Sequence, residues 1–267
     1  MNLYAMYFSP TGTTEKIVKR IAVKIGETKN IPVDIIDFTL PRARKEEYIF
    51  STNDVVVLGV PVYAGRVPNV LLSFLSSIKA VGALAVPIVL YGNRNYDDAL
   101  MELKIILETN GFKPIAAGAF VGEHSFSKIL SEGRPDEEDL EIADSFAKKI
   151  VEKLNSEKIM SVNVKGNVPI RPYYMPKSRE GYHVDIRKVK PKVSDECINC
   201  GLCVAVCPMG SIEVDNVKEY IGICIKCNAC VKKCPVLARY YDDFGYLYHK
   251  KELEEEFVRR GTVDTFI

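Results

Sequence analysis

The sequence predicts an α/β, doubly wound domain, in which helices cover both faces of a five-stranded parallel sheet, followed by a small cysteine-rich domain. Two observations lead to this expectation. Residues 1 to about 155 alternate short apolar runs with amphipathic stretches, which is typical of βαβ units. All eight cysteines of the 267-residue chain lie between Cys197 and Cys234.

The apolar runs are the candidate strands, and the stretches between them are the candidate helices. Strands are expected at residues 3–8, 33–38, 55–60, 83–91 and 115–121. Helices are expected at residues 13–27, 68–78, 97–110 and 137–154, the last after the start signal of Pro135.

A loop rich in hydroxyl groups joins the first strand to the first helix. It reads Ser9-Pro10-Thr11-Gly12-Thr13-Thr14. Hydroxyl and backbone N–H groups at a helix N-terminus suit a phosphate dianion, although Ser and Thr are also common helix caps. The chain lacks both the lysine-containing loop of nucleotide triphosphatases and the G-x-G-x-x-G of dinucleotide folds, so neither ATP nor NAD has a motif.

Two further loops follow the third and fourth predicted strands, at the edge where open parallel sheets bind ligands. They span residues 60–68 and 91–97, and each has an aromatic side chain to stack on a flat ring and glycines that permit close approach. Together with the phosphate loop, they make residues 1–155 resemble a flavodoxin-like FMN domain. The resemblance implies a sheet in the order 2-1-3-4-5 with FMN at its carboxyl edge.

The resemblance also implies which residues bind FMN. For the phosphate they are Ser9, Thr11, Gly12, Thr13 and Thr14. For the isoalloxazine ring they are Pro61, Val62, Tyr63, Ala64 and Gly65 from one loop, and Gly92, Asn93, Arg94 and Tyr96 from the other. Arg66 and Arg94 are candidates for stabilising the negative charge of a reduced flavin, with a surface salt bridge as an equal alternative.

The cysteine segment is an internal repeat. Cys197-Ile-Asn-Cys200-Gly-Leu-Cys203-Val-Ala-Val-Cys207-Pro208 is echoed by Cys224-Ile-Lys-Cys227-Asn-Ala-Cys230-Val-Lys-Lys-Cys234-Pro235. In such runs the first three cysteines ligate one cuboidal iron–sulfur cluster and the fourth ligates the other. This rule assigns Cys197, Cys200, Cys203 and Cys234 to a first cluster, and Cys207, Cys224, Cys227 and Cys230 to a second. Zinc is the alternative, but it explains neither the third cysteine of each half nor the Cys-Pro ending.

Residues 193–240 resemble the bacterial-type ferredoxins with two 4Fe–4S clusters, in all eight cysteines and both prolines. The resemblance implies a small α+β two-cluster ferredoxin domain with low-potential, oxygen-sensitive one-electron carriers. Residues 121–126 and 133–136 make the whole chain resemble flavodoxin–ferredoxin fusions of the EFR1 type. The expected organisation is a flavodoxin-like domain at 1–157, a basic proline-rich linker at 158–192, the ferredoxin domain at 193–240 and a helical tail at 241–267.

Three smaller features have more than one interpretation. Tyr173 and Tyr174 in the linker either cover a cofactor or attach the linker to the domain surface, and attachment is favoured. His124 either donates a proton to flavin or substrate or makes a hydrogen bond that fixes its loop, and the loop bond is favoured. In the tail, a helix is expected at residues 246–260, with ion pairs at i,i+4 spacing from residue 255 to 259 and from 256 to 260, on a solvated face.

The expected function combines the two kinds of cofactor. Iron–sulfur clusters pass single electrons, whereas FMN exchanges one or two, so a chain holding both converts between these modes. We expect an electron carrier whose donor or acceptor is a redox protein, either a ferredoxin or an oxidoreductase. The alternative is a flavin-dependent reductase of a quinone, a nitro compound or a nicotinamide, supplied by its own clusters.

Composition limits the partners. Apolar residues make up 47% and charged residues 27% of the chain, and the formal net charge is +1, which offers no attractive field to nucleic acid. No apolar run approaches the roughly 18 residues of a membrane-spanning helix, and the N-terminus lacks a basic leader. We expect a cytoplasmic protein that binds neither nucleic acid nor membrane, and the sequence leaves its oligomeric state open.

Overall fold

The computed structural model describes residues 1–267, and it confirms the doubly wound α/β fold of the first part of the chain. The central strands are β1 (Asn2–Tyr7), β2 (Val33–Asp37), β3 (Asp54–Pro61), β4 (Leu84–Tyr91) and β5 (Ala117–Val121). They are parallel and lie in the order β2-β1-β3-β4-β5, which is the expected order 2-1-3-4-5.

Two pairs of helices cover the two faces of this sheet. They are α1 (Thr13–Lys29), α2 (Leu72–Ser77), α3 (Ala99–Thr109) and α4 (Glu137–Leu154). Because side chains alternate along a strand, Val55 and Val57 of β3 pack with α1 and α4, while Val56 and Leu58 pack with α2 and α3. Burial on both faces explains why the strands are nearly continuous apolar runs.

Short elements complete this domain. Two 3₁₀ turns lie at Pro41–Lys45 and Asn69–Leu71. The strand Ile49–Phe50 pairs with Lys79–Ala80, and Lys113–Pro114 pairs with the start of β4. The helix expected at residues 68–78 is therefore a 3₁₀ turn followed by the six-residue α2.

The cysteine segment repeats in structure as it does in sequence. Four-residue helices lie at Leu202–Ala205 and Ala229–Lys232, each after a residue with left-handed backbone, Gly201 or Asn228. The short strands Lys192–Val193 and Arg239–Tyr240 pair antiparallel and bracket the segment. Between α4 and Lys192 the chain has no helix or strand, in agreement with its proline content.

The tail differs from the expected helix. Helix α5 (Phe244–Glu256) ends early, and the strand β6 (Asp264–Phe266) then pairs antiparallel with β5. The predicted ion pairs of residues 255–259 and 256–260 are wrong, because Glu255 pairs with Arg179 and Lys251, and Arg260 reaches Asp136 and Glu138 at the start of α4. A shorter helix and a strand that pairs with the flavodoxin-like domain therefore replace the expected long helix.

Candidate functional site

A cavity opens at the carboxyl edge of the sheet, beside the ends of β1, β3, β4 and β5. Several of the residues that the sequence predicts to bind FMN line it: Thr11, Thr13, Thr14, Pro61, Val62, Tyr63 and Gly92. The rest of the wall consists of residues that the sequence reasoning did not assign to FMN: Pro10, Leu90, Tyr91, Gly122, Glu123, His124, Ser125 and Cys227. Six of these eight lie at the end of β4 or directly after β5, so the rule that ligands bind at strand ends points to them as well.

The N-terminus of α1 forms one end of the cavity. Gly12 is the N-cap residue, with a left-handed φ of 93°, and it has no side chain to cap the helix. The backbone N–H groups of Thr13 and Thr14 have no backbone acceptor within the chain, and both residues line the cavity. Unpaired donors at the positive end of a 17-residue helix fit a phosphate group.

Ser9 and Gly12 shape this loop from outside the cavity. The hydroxyl of Ser9 accepts the N–H of Glu15 at 3.0 Å, and the N–H of Ser9 donates to the Thr39 hydroxyl at 2.8 Å. The positive φ of Gly12 turns the chain into the helix. These two residues position the threonines that line the cavity.

The first ring loop, residues 60–68, is the first of the two loops predicted to border the flavin ring. It contains a tight turn that positions Tyr63. The backbones of Tyr63 and Arg66 bond to each other at 2.9 and 3.1 Å, and Ala64 and Gly65 between them have φ values of 51° and 77°. A side chain at Gly65 would place its Cβ 2.3 Å from an Asp97 carboxylate oxygen. Ala64 and Gly65 therefore supply the turn geometry, and of the turn residues 63–66 only Tyr63 lines the cavity.

In the second ring loop, residues 91–97, the side chains of Asn93 and Tyr96 contact the C-terminal segment instead of the cavity, which corrects the prediction for both residues. Asn93 is 2% exposed, and its amide donates to the carbonyls of Phe257 and Arg259 and accepts the N–H of Gly261. The Tyr96 hydroxyl donates to Asp264 at 2.6 Å. Neither side chain lines the cavity, because both hold the C-terminal segment.

The two loop arginines form salt bridges, so they do not line the cavity either. Arg94 pairs with Asp97 and lies 4.3 Å from the ring centre of Tyr174. Arg66 pairs with Glu102, and its Nε is 2.7 Å from the carboxylate. Of the two interpretations of these arginines, the structure supports the salt bridge.

His124 lines the cavity beside Gly92. Its Nδ1 accepts the N–H of Phe126 at 3.1 Å, which confirms the loop-fixing hydrogen bond. Burial and then the charge of Lys232 lower the pKa of His124 to about 3, so the ring is neutral at pH 7. A Cβ at Gly92 would lie 2.4 Å from the ring of His124, so the glycine permits this close packing.

A second cavity lies within the cysteine segment. It is bordered by Cys207, Cys224, Cys227 and Cys230, which are the cysteines assigned from the sequence to the second cluster. The four thiols do not converge on the position of a single metal ion. All eight cysteines of the chain are free thiols.

Two features of these thiols bear on ligation in opposite ways. Burial raises the pKa of Cys227 to about 12, which disfavours the thiolate, so the charge of a bound metal has to displace its proton. Backbone N–H groups already point at the sulfurs, from Ser211 to Cys207 at 3.4 Å and from Ala238 to Cys234 at 3.3 Å. Hydrogen bonds of this kind stabilise ligated thiolates.

Cys227 lines both cavities, so the second set of cysteines is adjacent to the candidate FMN site. Tyr63 lies at the same boundary. Burial raises the pKa of its hydroxyl well above the usual value, and the neighbouring Cys227 and Cys224 raise this pKa too. The two domains thus meet where the two cavities meet.

Polar contacts hold the domains together at this boundary. Lys232 pairs with Glu123 and donates to the His124 carbonyl at 2.8 Å. Asn228 donates to the Ser125 carbonyl at 2.8 Å. These contacts join the second half of the cysteine repeat to the loop that follows β5.

The linker lies on the first ring loop. Tyr174 N–H donates to the Ala64 carbonyl and the Tyr173 hydroxyl to the Val67 carbonyl, both at 2.8 Å. Arg171 pairs with Asp98 at 2.9 Å. These bonds confirm that the two tyrosines attach the linker to the domain surface.

Comparison with known proteins matches two parts of the chain to two families. Residues 4–103 match the flavodoxin domain family, and residues 196–239 match the 4Fe–4S dicluster domain family. None of the helices has the length and apolar character needed to cross a membrane. No curated protein matches the chain.

Similar solved structures include free flavodoxins and a larger enzyme. A flavodoxin from the domain Archaea is 17% identical, with 58% of this chain and 100% of that chain covered and a TM-score of 0.41. Flavodoxin 2 from Bacillus cereus is 19% identical, with 57% and 99% covered and a TM-score of 0.43. Rubredoxin oxygen:oxidoreductase from Desulfovibrio gigas is 15% identical, with 57% and 36% covered and a TM-score of 0.42.

Proposed function

Because this chain is a flavodoxin–ferredoxin fusion, an electron-transfer protein of FMN and iron–sulfur clusters, we propose that it relays single electrons between two 4Fe–4S clusters and FMN. The carriers are used in the order first cluster, second cluster and FMN, in either direction. The observation that carries this proposal is the position of Cys227 in the walls of both cavities.

The residues of the first cavity divide the binding of FMN between them. Thr11, Thr13 and Thr14 hold the phosphate through their hydroxyls and through the unpaired N–H groups at the start of α1. Tyr63 and Gly92 border the ring. When bound, FMN supplies exchange of one or two electrons, and each cluster supplies exchange of one.

The two sets of cysteines differ in exposure, which indicates where an external partner docks. Cys200 of the first set is exposed, whereas Cys227 of the second is buried against the flavodoxin domain. A redox protein, either a ferredoxin or an oxidoreductase, therefore exchanges electrons at the first cluster. The second cluster connects the first with FMN.

A carrier explains the site better than a flavin-dependent reductase. A reductase needs a proton donor beside the flavin, and His124 is the candidate on the cavity wall. Its Nδ1 already accepts a backbone N–H, and its pKa is lowered to about 3, so it is neutral at pH 7. We also propose the EFR1 type of fusion, since Glu123 and Ser125 of residues 121–126 contact the ferredoxin domain.

Cofactor content and the order of reduction test the proposal. The anaerobically purified protein should hold about eight irons and one FMN. Thr13→Val should weaken FMN retention and leave the iron content unchanged, because it removes only a phosphate ligand. Thr28→Val, the same change in an exposed residue of α1, should affect neither.

Rapid mixing with a reduced ferredoxin tests the order in which the clusters and FMN are reduced. Cluster absorption should bleach before flavin absorption, and Cys200→Ala, which removes a first-cluster ligand, should slow flavin reduction. Flavin reduced at the same rate in this variant, or about four irons in the unaltered protein, would refute the two-cluster relay.

A further inference from the structure

Arg239 is a buried arginine that lacks a carboxylate partner. It lies in the short strand after the second half of the cysteine repeat and is 3% exposed. Its guanidinium donates to the Tyr220 hydroxyl at 2.8 Å, to the Val217 carbonyl and to Cys203 Sγ at 3.2 Å. Burying a charge without an opposite charge nearby costs free energy, so we expect an anion beside Arg239.

The guanidinium lies between the two sets of cysteines. Cys203, which it contacts, belongs to the first set. Tyr220, its second partner, lines the cavity of the second set. The guanidinium therefore contacts a ligand of one predicted cluster and a wall residue of the cavity predicted for the other.

Ligation supplies the missing anion. Thiols that bind a metal lose their protons, so each set of four cysteines becomes a concentration of negative charge around its cluster. Reduction adds one more negative charge to the cluster. A fixed positive charge nearby stabilises the reduced form more than the oxidised form, and a hydrogen bond to a ligand sulfur acts in the same direction.

We infer that the guanidinium of Arg239 is the shared counter-charge of both clusters and raises the reduction potential of each, an inference that rests on the two-cluster part of the proposed function. The effect is larger at the first cluster, because Arg239 also donates directly to the sulfur of Cys203. Arg239 is thus a tuning residue for the relay rather than a ligand.

A purely structural role for Arg239 makes different predictions. Its bonds also tie Val217 and Tyr220 to the strand that contains it. If only these bonds matter, Arg239→Lys, Arg239→Gln and Arg239→Met should all disturb the domain. If the charge matters, Arg239→Lys should behave like the unaltered protein, and the two uncharged variants should differ from it.

The test is an anaerobic redox titration of the full chain, followed by the electron paramagnetic resonance of the reduced clusters, with iron content measured on each sample. In Arg239→Met and Arg239→Gln the potential of the first cluster should fall by an amount equivalent to at least a tenfold change in the reduction equilibrium, about 59 mV for one electron. The second cluster should shift less, in the same direction. Arg239→Lys should keep both potentials.

Arg20→Met is the matched control. Arg20 is an arginine of α1 that pairs with Asp144 on the surface of the flavodoxin domain, so its loss changes net charge equally without touching the clusters. Both potentials should remain unchanged in this variant, because surface charge is screened by salt.

The remaining outcomes also decide the question. Unshifted potentials in the uncharged variants, or a shift in Arg239→Lys as large as in Arg239→Met, would overturn the inference. Loss of iron from the two uncharged variants but not from Arg239→Lys supports a need for the charge, whereas loss from all three supports a structural role and overturns it. About four irons in the unaltered protein refutes the proposed relay itself, and this result is independent of any Arg239 variant.

Discussion

Replacement of Asn93 by alanine should release the C-terminal segment from the flavodoxin domain. Asn93 makes three hydrogen bonds to this segment, to the carbonyls of Phe257 and Arg259 and from the N–H of Gly261, at 2.6, 2.7 and 2.8 Å. Each contributes about 0.5–1.5 kcal/mol net, and buried partners left unpaired cost more. The three together give roughly 3 kcal/mol for the local opening of the segment.

Hydrogen exchange measures this opening directly. Since each 1.4 kcal/mol is a factor of ten, the backbone amides of β6 should exchange on the order of a hundredfold faster in Asn93→Ala. Mass spectrometry of the peptide that contains residues 261–267 reports the rate. FMN content should stay unchanged, because Asn93 does not line the cavity.

Asn95→Ala is the control in the same loop. Asn95 is exposed and accepts only the N–H of Asp97, at 2.8 Å, so its loss should leave exchange in β6 as it is. Equal exchange in Asn93→Ala and the unaltered protein would refute the role of Asn93 in holding the segment. Loss of FMN without faster exchange would restore the ring contact that the sequence suggested.

Two further predictions concern pH and the domain contact. Burial and then the charge of Arg94 lower the pKa of His249 to about 4, so between this value and the ordinary value near 6.5 the unfolded chain binds more protons than the folded one. As the pH falls from about 7.5 to 5.5, His249 should therefore lower the free energy of unfolding by about 1 kcal/mol. Denaturation of His249→Gln should lack this pH dependence, whereas the exposed His183→Gln should retain it. Equal pH dependence of the free energy of unfolding in all three proteins would contradict the prediction. Arg44 donates to the carbonyls of Phe38 and Thr39 in its own domain and to the Pro208 carbonyl across the domain contact. Arg44→Met should therefore cost about 1–3 kcal/mol in denaturant unfolding, whereas the neighbouring exposed Arg42→Met should cost little, and equal losses would argue against the contact.

Local signals explain what could be predicted from the sequence. The helix at residues 137–154 has the expected bounds because its start is determined nearby, by Pro135 and by the capping box of Asp136 with Asp139. Thr11, Thr13 and Thr14 line the cavity because the end of β1 and the start of α1 place them there. The cysteine repeat likewise places all eight predicted ligands within a short segment.

Contacts between distant residues explain what could not be predicted. Asn93 and Tyr96 were expected at the flavin, yet their partners are 164 to 168 positions later in the chain. Nothing in residues 91–97 indicates that a later segment will use these side chains. The place of Cys227 in the first cavity depends in the same way on how two domains dock.

The final strand makes the ferredoxin domain an insertion into the flavodoxin domain rather than an appendage to it. The chain leaves the flavodoxin fold after α4 and rejoins its sheet at β6, so the segment between is closed into a loop at both ends. Because the inserted domain is attached at both ends, it samples fewer positions relative to the flavodoxin domain than a single flexible linker would allow. A cut within residues 158–192 would consequently leave the two halves joined through β6, and the separation of the carriers is determined by the fold rather than by the length of the linker.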